Sequence, residues 1–251
     1  MVLRPSEHPM THATSAAIFD LDNTLVRGSS LFHFGMAMVR RRQVSPIDVL
    51  RFASAELSYV RRRSERPGLP GTVAERTLGL VRGRSQQQLT ALAEEWVATR
   101  LHRHLVAEVR VQIMDFKRHG FTTVLATASP QELADAIATR LGMSAAIGTV
   151  SETASGRYTG RMCGPIAHGS AKAWRMQALL DEQGLDARTS WAFSDSVNDL
   201  PLLSMVGNPV ATNPDAELAA IARLNGWRIL ESGGSADVAT AGLRALYPYP
   251  F

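Results

Sequence analysis

The stretch AAIFDLDNTL, residues 16–25, changes abruptly from apolar to polar side chains. Its first four residues are apolar, and Asp20, Asp22, Asn23 and Thr24 follow them. A short apolar run of this kind predicts a strand that is buried on both faces and ends in a polar loop. Alternate side chains of an extended chain point in the same direction, so both aspartates would face one small volume.

Strand-like and helix-like segments alternate after this stretch. Further strands are predicted at residues 121–129, 145–150, 190–195, 208–213 and 227–230. Helical patterns lie between them, at residues 105–119, 130–141, 170–183, 197–205 and 215–224. Such alternation predicts an α/β fold in which helices cover both faces of a parallel, Rossmann-like sheet. Because ligands of these sheets bind at the carboxyl ends of the strands, the polar residues that follow each strand are the functional candidates.

One long segment interrupts the alternation between the first two predicted strands. Residues 29–105 show helical patterns and are far too many for an ordinary loop. The sequence therefore predicts a flexible N-terminus at residues 1–15, a core domain at 16–28 and 106–251, and an inserted helical domain at 29–105. After Val150, the run SETASGRYTGRMCGP is rich in turn-forming residues and predicts a hairpin.

Composition excludes several classes of protein. The chain has 251 residues, of which 45% are hydrophobic and 20% are charged, values that argue against disorder, collagen and coiled coil. No segment approaches the roughly eighteen consecutive apolar residues of a membrane span. The single cysteine, Cys163, excludes an internal disulfide and a cysteine-based zinc site. A cytoplasmic location is predicted.

Positive charge is concentrated in the predicted insertion. The chain carries a net charge of +4, but fourteen arginines and six acidic residues between Arg27 and Leu105 give that segment +8 and leave −4 for the rest. The arginine clusters lie at residues 40–42 and 61–63 and at Arg66, Arg82 and Arg84. They could recognise an anionic substrate, a lipid surface or a nucleic acid. A solvated helix face is the simpler explanation, and we do not expect nucleic acid as a partner.

The paired aspartates Asp20 and Asp22 admit two interpretations. Two unpaired carboxylates in one small volume repel each other, and a hard cation such as Mg²⁺ would relieve that repulsion. One carboxylate could then attack an electrophile while the other transfers a proton. Alternatively, both are ordinary turn or capping residues.

Three other positions near strand ends carry suitable chemistry. Thr127, at the end of the second predicted strand, offers a hydroxyl beside the free N–H groups of a helix start, which together can bind an anion. Lys172 lies early in a predicted helix and could neutralise a phosphate or crowded carboxylates. In SDSVNDLPLL, residues 194–203, Asp195 and Asp199 are one helical turn apart and could approach the same ion. Helix capping and a solvated lysine are the alternatives.

These motifs, in this order, resemble the four core motifs of the haloacid dehalogenase superfamily. The resemblance rests on FDLDNTL, Thr127, Lys172 and SDSVNDLPLL and covers most of residues 16–231. The insertion is similar to the helical C1-type cap of that superfamily. The segments ATASP, GRYTGRMCGP and NPDAELAAIARLNGWRIL resemble sequences of the phosphoserine-phosphatase-like subfamily IB.

The resemblance implies a Mg²⁺-dependent phosphatase that works through an aspartyl-phosphate. Asp20 would be the nucleophile and a metal ligand. Asp22 would be the general acid and base, with its backbone carbonyl on the metal. Asp195 would ligate Mg²⁺ directly.

Further residues acquire expected roles from the same resemblance. Thr127 and Ala128 would bind the phosphoryl oxygens, and Lys172 would hold both the phosphoryl group and Asp20. Asn198 and Asp199 would lie beyond the direct metal ligands or near Lys172, with Asn198 also able to reach the phosphate. Ser194 departs from the glycine that is usual in the family at that position.

The resemblance also narrows the reaction and the substrate. Dehalogenases of the superfamily lack the second aspartate, and phosphonatases need a cap lysine, which residues 27–105 do not contain. A small phosphomonoester is therefore the expected substrate, with a phosphomutase or phosphotransferase as the alternative. Related phosphoserine phosphatases carry a glutamate nine positions after the nucleophile, where this chain has Ser29. A sugar, alcohol or amino-alcohol phosphate is thus as well supported as phosphoserine.

A protein that binds an anionic ligand through its basic cap without hydrolysing it is the non-enzymatic alternative. Loss of Asp20, Asp22 or Lys172 would favour that alternative, and all three are present.

Overall fold

The computed structural model describes residues 14–47, 79 and 81–232. Within them, six parallel strands form one sheet in the order β3-β2-β1-β6-β7-β8, and two more pair as the antiparallel hairpin β4-β5. The strands are β1 (Ala16–Asp20), β2 (Thr122–Pro130), β3 (Ala145–Thr149), β4 (Ser151–Ala154), β5 (Arg157–Met162), β6 (Trp191–Ser194), β7 (Asn208–Thr212) and β8 (Arg228–Leu230). The α-helices are α1 (Ser30–Arg40), α2 (Gln86–Arg100), α3 (Ala107–Arg118), α4 (Gln131–Leu141), α5 (Ser170–Glu182), α6 (Leu200–Met205) and α7 (Ala216–Leu224). The predicted α/β fold is confirmed.

Strand β1 lies in the middle of the sheet, between β2 and β6. Its first four residues are fully buried, as their apolar run predicts. Phe19 pairs in register with Phe193 of β6, and their rings stack with centroids 4.6 Å apart. Asp20 pairs in register with Ala126 of β2. The carboxyl ends of β1, β2 and β6 therefore meet at one edge of the sheet.

Each face of β1 packs into its own hydrophobic cluster. Ala17 and Phe19 belong to the cluster that includes residues of α3 and α4, whereas Ala16 and Ile18 belong to the cluster that includes residues of α5. Alternate side chains of one strand thus serve both layers of helices. Complete burial of one large apolar side chain contributes about 1.5–3 kcal/mol to folding.

Strand β2 is displaced by one residue from the predicted range of 121–129. It continues to Pro130, with a shift in its pairing to β3 between Ala126 and Pro130. Thr127 lies three residues before the end of this strand. Because Thr127 directly follows the residue that pairs with Asp20, it still reaches the carboxyl edge of the sheet.

The predicted helix at residues 197–205 is divided in two. A 3₁₀ turn, Val197–Asp199, precedes α6, which begins at Leu200. Pro201 lies in the first turn of α6. Proline is accommodated there but not in a helix interior, because it lacks the N–H that an interior position must donate.

Ordered contacts begin before Ala16. The carbonyl of Thr14 accepts a hydrogen bond from the N–H of Asp186 at 2.7 Å, and the hydroxyls of Ser15 and Thr189 are 2.7 Å apart. Ser15 is 2% exposed. The last two residues of the predicted flexible N-terminus are therefore held against the loop before β6, and residues 1–13 lie outside the described range.

Two helices of the insertion, α1 and α2, are described between β1 and β2. They pack on each other, and α2 also packs on α4 of the sheet domain. Arg41 and Arg42 are exposed, and Arg41 pairs with Glu95 of α2. The arginines at 61–63 and Arg66 lie outside the described residues.

The predicted hairpin is present as β4 and β5, and it pairs with the insertion. Gly83 donates its N–H to the carbonyl of Tyr158 at 2.8 Å, and the N–H of Tyr158 donates to the carbonyl of Arg84 at 3.0 Å. The Tyr158 hydroxyl donates to Glu132 Oε1 of α4 at 2.7 Å. Burial, together with this hydrogen bond, raises the pKa of Tyr158 above its ordinary value. The hairpin thereby joins the insertion to the sheet domain.

Across the described ranges, no helix combines the length and the apolar character that crossing a bilayer requires.

Candidate active site

Lys172 lies between two carboxylates at the carboxyl edge of the sheet. Helix α5 begins at Ser170, which places Lys172 in its first turn. Its Nζ donates to Asp20 Oδ1 at 2.6 Å and to Asp199 Oδ2 at 2.7 Å, and the lysine is 3% exposed. Burial acts to lower the pKa of Lys172, but Asp199 and Asp20 outweigh burial and raise that pKa above its ordinary value. The buried ammonium therefore stays protonated.

Asp199 has a further donor in Ser194. The Ser194 hydroxyl donates to Asp199 Oδ2 at 2.7 Å, and Ser194 is fully buried. The other oxygen, Oδ1, is buried and has no hydrogen-bond partner within the described structure. The carboxylate is thus fixed through one oxygen, and the second can accept a further donor.

Asp195 follows β6 directly and is held through its backbone. Its carbonyl accepts a hydrogen bond from the N–H of Asp215 at 2.7 Å, and Asp215 also accepts from the N–H of Val197 at 3.0 Å. Thr24 Oγ1 lies 3.4 Å from Asp195 Oδ1. Burial raises the pKa of Asp195 to about 7, and the negative charge of Asp199 adds to this rise.

The cluster contains more negative charge than Lys172 can offset. Burial raises the pKa of Asp20 well above its usual range, with further increases from Asp199 and Asp195, although the charge of Lys172 opposes them. Asp195 responds in the same way. Removal of carboxylates from water is costly unless cations compensate the charge. A divalent cation would supply the missing positive charge.

The donor set fits a magnesium ion. In the described ranges, no three or more His, Cys, Asp and Glu side chains are grouped so that they alone could hold a metal ion. Mg²⁺ needs less than that, because it is commonly held by one or two carboxylates and completes its shell with waters and substrate phosphate. Asp20 and Asp195, with the backbone carbonyl of Asp22, offer such hard oxygen donors.

Asp22 is hydrogen-bonded by the first residue of α1. The backbone N–H of Ser30 donates to Asp22 Oδ1 at 2.7 Å. Burial raises the pKa of Asp22, while the hydrogen bonds from Ser30 act in the opposite direction. A carboxyl whose pKa is raised towards neutrality suits a group that exchanges protons.

Thr127 is buried beside Ser129. Its Oγ1 accepts a hydrogen bond from the N–H of Ser129 at 3.0 Å, and Thr127 is 1% exposed. Ala128 turns an exposed side chain outward, and its carbonyl accepts from the Thr149 hydroxyl at 2.7 Å. A phosphate contact at Ala128 would therefore have to come from its backbone N–H.

Asn198 is half-buried, and its backbone N–H donates to Ser196 Oγ at 3.3 Å. Its side chain is not part of the hydrogen-bonded cluster around Lys172. Of the residues predicted for the site, direct side-chain contacts join Asp20, Lys172 and Asp199.

Ser29 caps helix α1. Its hydroxyl accepts a hydrogen bond from the N–H of Phe32 at 3.3 Å. This is the usual role of an N-cap serine, which satisfies a free N–H of the first turn. The position that carries a glutamate in related phosphoserine phosphatases is therefore used here to start the helix.

Three residues that the sequence analysis did not place in the site contribute to it. Ser30 contacts Asp22, Ser194 contacts Asp199, and Asp215 holds the loop of Asp195. Ser194 carried a signal, because it departs from the usual glycine. Ser30 carried none, since a serine at a helix start is ordinary.

Fold and site together define a class: an α/β protein with aspartates and one lysine at the carboxyl edge of a parallel sheet, and helices inserted after the first strand. The model of the haloacid dehalogenase-like hydrolase family matches residues 17–204. The chain belongs to this family.

Curated relatives bear phosphatase names. The chain is 40% identical over 229 residues to phosphoserine phosphatase SerB1 of Mycobacterium tuberculosis, covering 88% of this chain and 72% of the relative. It is 30% identical over 218 residues to histidinol-phosphatase of Neisseria meningitidis, covering 85% of this chain and 97% of the relative.

Solved structures share the fold. A Bordetella pertussis Tohama I protein of unknown function superposes with a TM-score of 0.75 at 30% identity, over 86% of this chain and 98% of that one. A phospho-aspartyl intermediate analogue of phosphoserine phosphatase superposes with a TM-score of 0.60 at 15% identity, over 88% of this chain and 94% of that one. The resemblance that was inferred from the motifs is confirmed at the level of family and fold.

Proposed function

We propose that the protein is a Mg²⁺-dependent phosphatase that hydrolyses a small phosphomonoester through an aspartyl-phosphate on Asp20. The observation that carries the proposal is the buried contact of Lys172 with both Asp20 and Asp199, at 2.6 and 2.7 Å. A fixed cation beside a carboxylate nucleophile can stabilise the charge that develops on a transferring phosphoryl group.

In the first half-reaction, one carboxylate oxygen of Asp20 attacks phosphorus. The bond between phosphorus and the ester oxygen breaks, and Asp22 gives its proton to the departing alkoxide. The hydrogen bond from Lys172 fixes the orientation of the Asp20 carboxylate. The positive charge of the Lys172 ammonium partly neutralises the phosphoryl oxygens. Thr127 donates its hydroxyl to one of those oxygens.

In the second half-reaction, water attacks the phosphorus of the aspartyl-phosphate. Asp22, now ionised, takes a proton from that water, and the bond between phosphorus and Asp20 breaks. Inorganic phosphate leaves, and both aspartates return to their starting states. A magnesium ion held by Asp20, Asp195 and the carbonyl of Asp22 would neutralise phosphate charge in both halves.

The organic part of the substrate is proposed to meet the inserted helical domain, residues 29–105. The relatives' names point to phosphoserine and histidinol phosphate, which are both phosphomonoesters of alcohols that bear an amine. This chain has Ser29, the N-cap of α1, at the position where related phosphoserine phosphatases carry a glutamate. It therefore lacks, at that position, a carboxylate that would attract an ammonium group. We therefore place amino-alcohol phosphates and simple alcohol phosphates in one candidate class. The cytoplasmic location stays a prediction.

The test compares Asp20→Asn with Asp181→Asn, a matched change at an exposed aspartate of α5 outside the site. Phosphate release from an aryl phosphate, phosphoserine, histidinol phosphate and glycerol phosphate is measured with Mg²⁺ and again after EDTA. We expect wild type and Asp181→Asn to turn over, Asp20→Asn to be inactive, and EDTA to abolish turnover. Turnover that survives in Asp20→Asn or in EDTA would contradict the proposal.

The same assay addresses the alternatives. A phosphomutase or phosphotransferase would pass the phosphoryl group to an added alcohol or sugar phosphate with little release of inorganic phosphate. A protein that only binds anions would release none from any substrate.

A further inference from the structure

Ser30 links the inserted helix α1 to the two catalytic segments of the sheet domain. Its backbone N–H donates to Asp22 Oδ1 at 2.7 Å. Its hydroxyl lies 2.8 Å from the hydroxyl of Ser129, which is 99 positions away in the sequence. Ser30 is fully buried and Ser129 is 2% exposed. One side chain and one backbone group of the same residue thus hold two different parts of the site.

The connection continues from Ser129 to Thr127. The N–H of Ser129 donates to Thr127 Oγ1 at 3.0 Å. Asp22, Ser30, Ser129 and Thr127 therefore form one chain of short contacts between the proposed proton donor and the proposed phosphate-binding hydroxyl. The single member of this chain that belongs to the insertion is Ser30.

Capping of the helix does not explain the position of Ser30. Ser29 is the N-cap of α1, and its hydroxyl already accepts from the N–H of Phe32. Ser30 is the first residue inside the helix, where the backbone N–H has no acceptor within the helix itself. That N–H donates instead to the Asp22 carboxylate.

A general acid works only when its proton is within hydrogen-bond reach of the leaving oxygen. Asp22 lies in the loop after β1, and the N–H of Ser30 holds one of its carboxylate oxygens, Oδ1. Misplacement of a catalytic group by about 1 Å can cost on the order of 100-fold in rate.

We propose that Ser30 is a positioning residue that holds Asp22 in place for proton transfer to the leaving group, and that its hydroxyl contact with Ser129 sets the position of α1 for this task. The proposal rests on the proposed function. The insertion then takes part in catalysis directly: the proton donor is fully positioned when α1 lies against the sheet domain.

The test uses the leaving group, because the need for a proton depends on it. An alkoxide leaves poorly without protonation, whereas p-nitrophenolate leaves readily as an anion. The ratio of kcat/KM for glycerol phosphate to that for p-nitrophenyl phosphate therefore reports on the proton donor in the first half-reaction. General damage to the protein would lower both values together.

Ser30→Pro is the principal variant. Proline removes the N–H that Asp22 accepts, yet it is well accommodated at the first position of a helix. Ser29 has φ −83° and ψ 118°, an extended conformation that is compatible with a following proline. Ala107→Pro is the matched control, because Ala107 is the exposed first residue of α3 and its N-cap, Val106, is also extended.

We expect Ser30→Pro to lower kcat/KM for glycerol phosphate by about 100-fold and that for p-nitrophenyl phosphate by less than about threefold. Ser30→Ala keeps the N–H and removes the hydroxyl. It should lower kcat/KM selectively for glycerol phosphate, by several-fold. Ser30→Thr, which restores a hydroxyl, should recover most of this loss. Ala107→Pro should behave as wild type.

Equal losses on both substrates, or no loss on either, would overturn the proposal. If Ser30→Pro does not fold, the test rests on Ser30→Ala and Ser129→Ala. Losses of equal size on the two substrates in these variants would likewise overturn the proposal. The proposed function is judged separately, since it fails when the wild type hydrolyses neither ester, or when turnover survives in Asp20→Asn or in EDTA.

Discussion

The Ser194 hydroxyl and the Lys172 ammonium contact the same oxygen of Asp199, each at 2.7 Å. Both donors are buried. In the folded protein, Asp199 Oδ2 therefore accepts hydrogen bonds from one neutral and one charged donor in place of water. The serine stands where related proteins usually have glycine, and its hydroxyl adds a bond that glycine cannot make. Asp199 in turn orients the lysine that meets Asp20.

Ser194→Ala removes this bond and leaves the rest of the cluster in place. We expect a loss of about 1–2 kcal/mol in the free energy of unfolding, measured by urea denaturation, because a buried carboxylate loses a donor. Turnover should fall less than tenfold, since Lys172 still holds Asp199. Ser194→Gly should be less stable again by about 0.5–1 kcal/mol, owing to the greater freedom of its unfolded chain. Unchanged stability in Ser194→Ala would refute the stated role.

Lys172→Met removes the one lysine of the cluster while keeping an unbranched side chain. Because Asp20 and Asp199 then remain buried without their cation, we expect the free energy of unfolding to fall by about 3–5 kcal/mol. Turnover should fall by about 100-fold or more.

The chain offers a matched control for Lys172→Met. Its other lysine, Lys117, is exposed and donates to the carbonyl of Leu141 at 3.2 Å. Lys117→Met should stay within about 0.5 kcal/mol of the wild type and keep full activity. Similar losses in the two variants would show that Lys172 has no special place in the site.

Magnesium should stabilise the protein through Asp195. A ligand that binds only the folded state raises its stability with concentration, so the thermal midpoint of the wild type should rise as MgCl₂ is added. In Asp195→Asn the rise should be much smaller. Without metal, this variant should melt no lower than the wild type, because one buried carboxylate that repels its neighbours is gone. An equal magnesium response in both proteins would exclude Asp195 from the metal site.

His104 should make stability depend on pH. Its ring stacks on His33, with centroids 3.9 Å apart, and faces Trp96. Burial lowers the pKa of His104, and His33, Arg103 and His102 lower it further. The folded state thus favours the neutral ring, so this contribution is complete above the ordinary histidine pKa of about 6.5 and is lost as the pH falls below it.

His104→Phe keeps the stacking and cannot be protonated. Urea midpoints at pH 7.5 and pH 5.5 should therefore differ less in His104→Phe than in the wild type. His102→Phe, a change at a neighbouring exposed histidine, removes the smallest of these contributions and is the control, so it should retain most of the wild-type difference. Parallel pH dependence in wild type and His104→Phe would contradict the assignment.

Local sequence patterns determined the fold and the principal chemistry. The apolar run before Asp20, the alternation of strands and helices, and the aspartates that follow β1 and β6 are properties of neighbouring residues, and the physics behind them is local. The hydrophobic periodicity and the helix or strand propensity of a segment depend on residues only a few positions apart. For this reason the parallel sheet and the aspartates at its carboxyl edge could be predicted from the sequence.

The tertiary structure alone decided which side chains meet. Lys172 and Asp20 are 152 positions apart, and Ser30 and Ser129 are 99 apart. Their contacts depend on strand register and on how the inserted helix packs, which no local pattern encodes. The same holds for the pairing of the β4-β5 hairpin with residues 83–86. The sequence predicted which groups would react, and the packing of the folded chain determined which neighbours contact them, because hydrogen bonds over such separations exist only once the chain has folded.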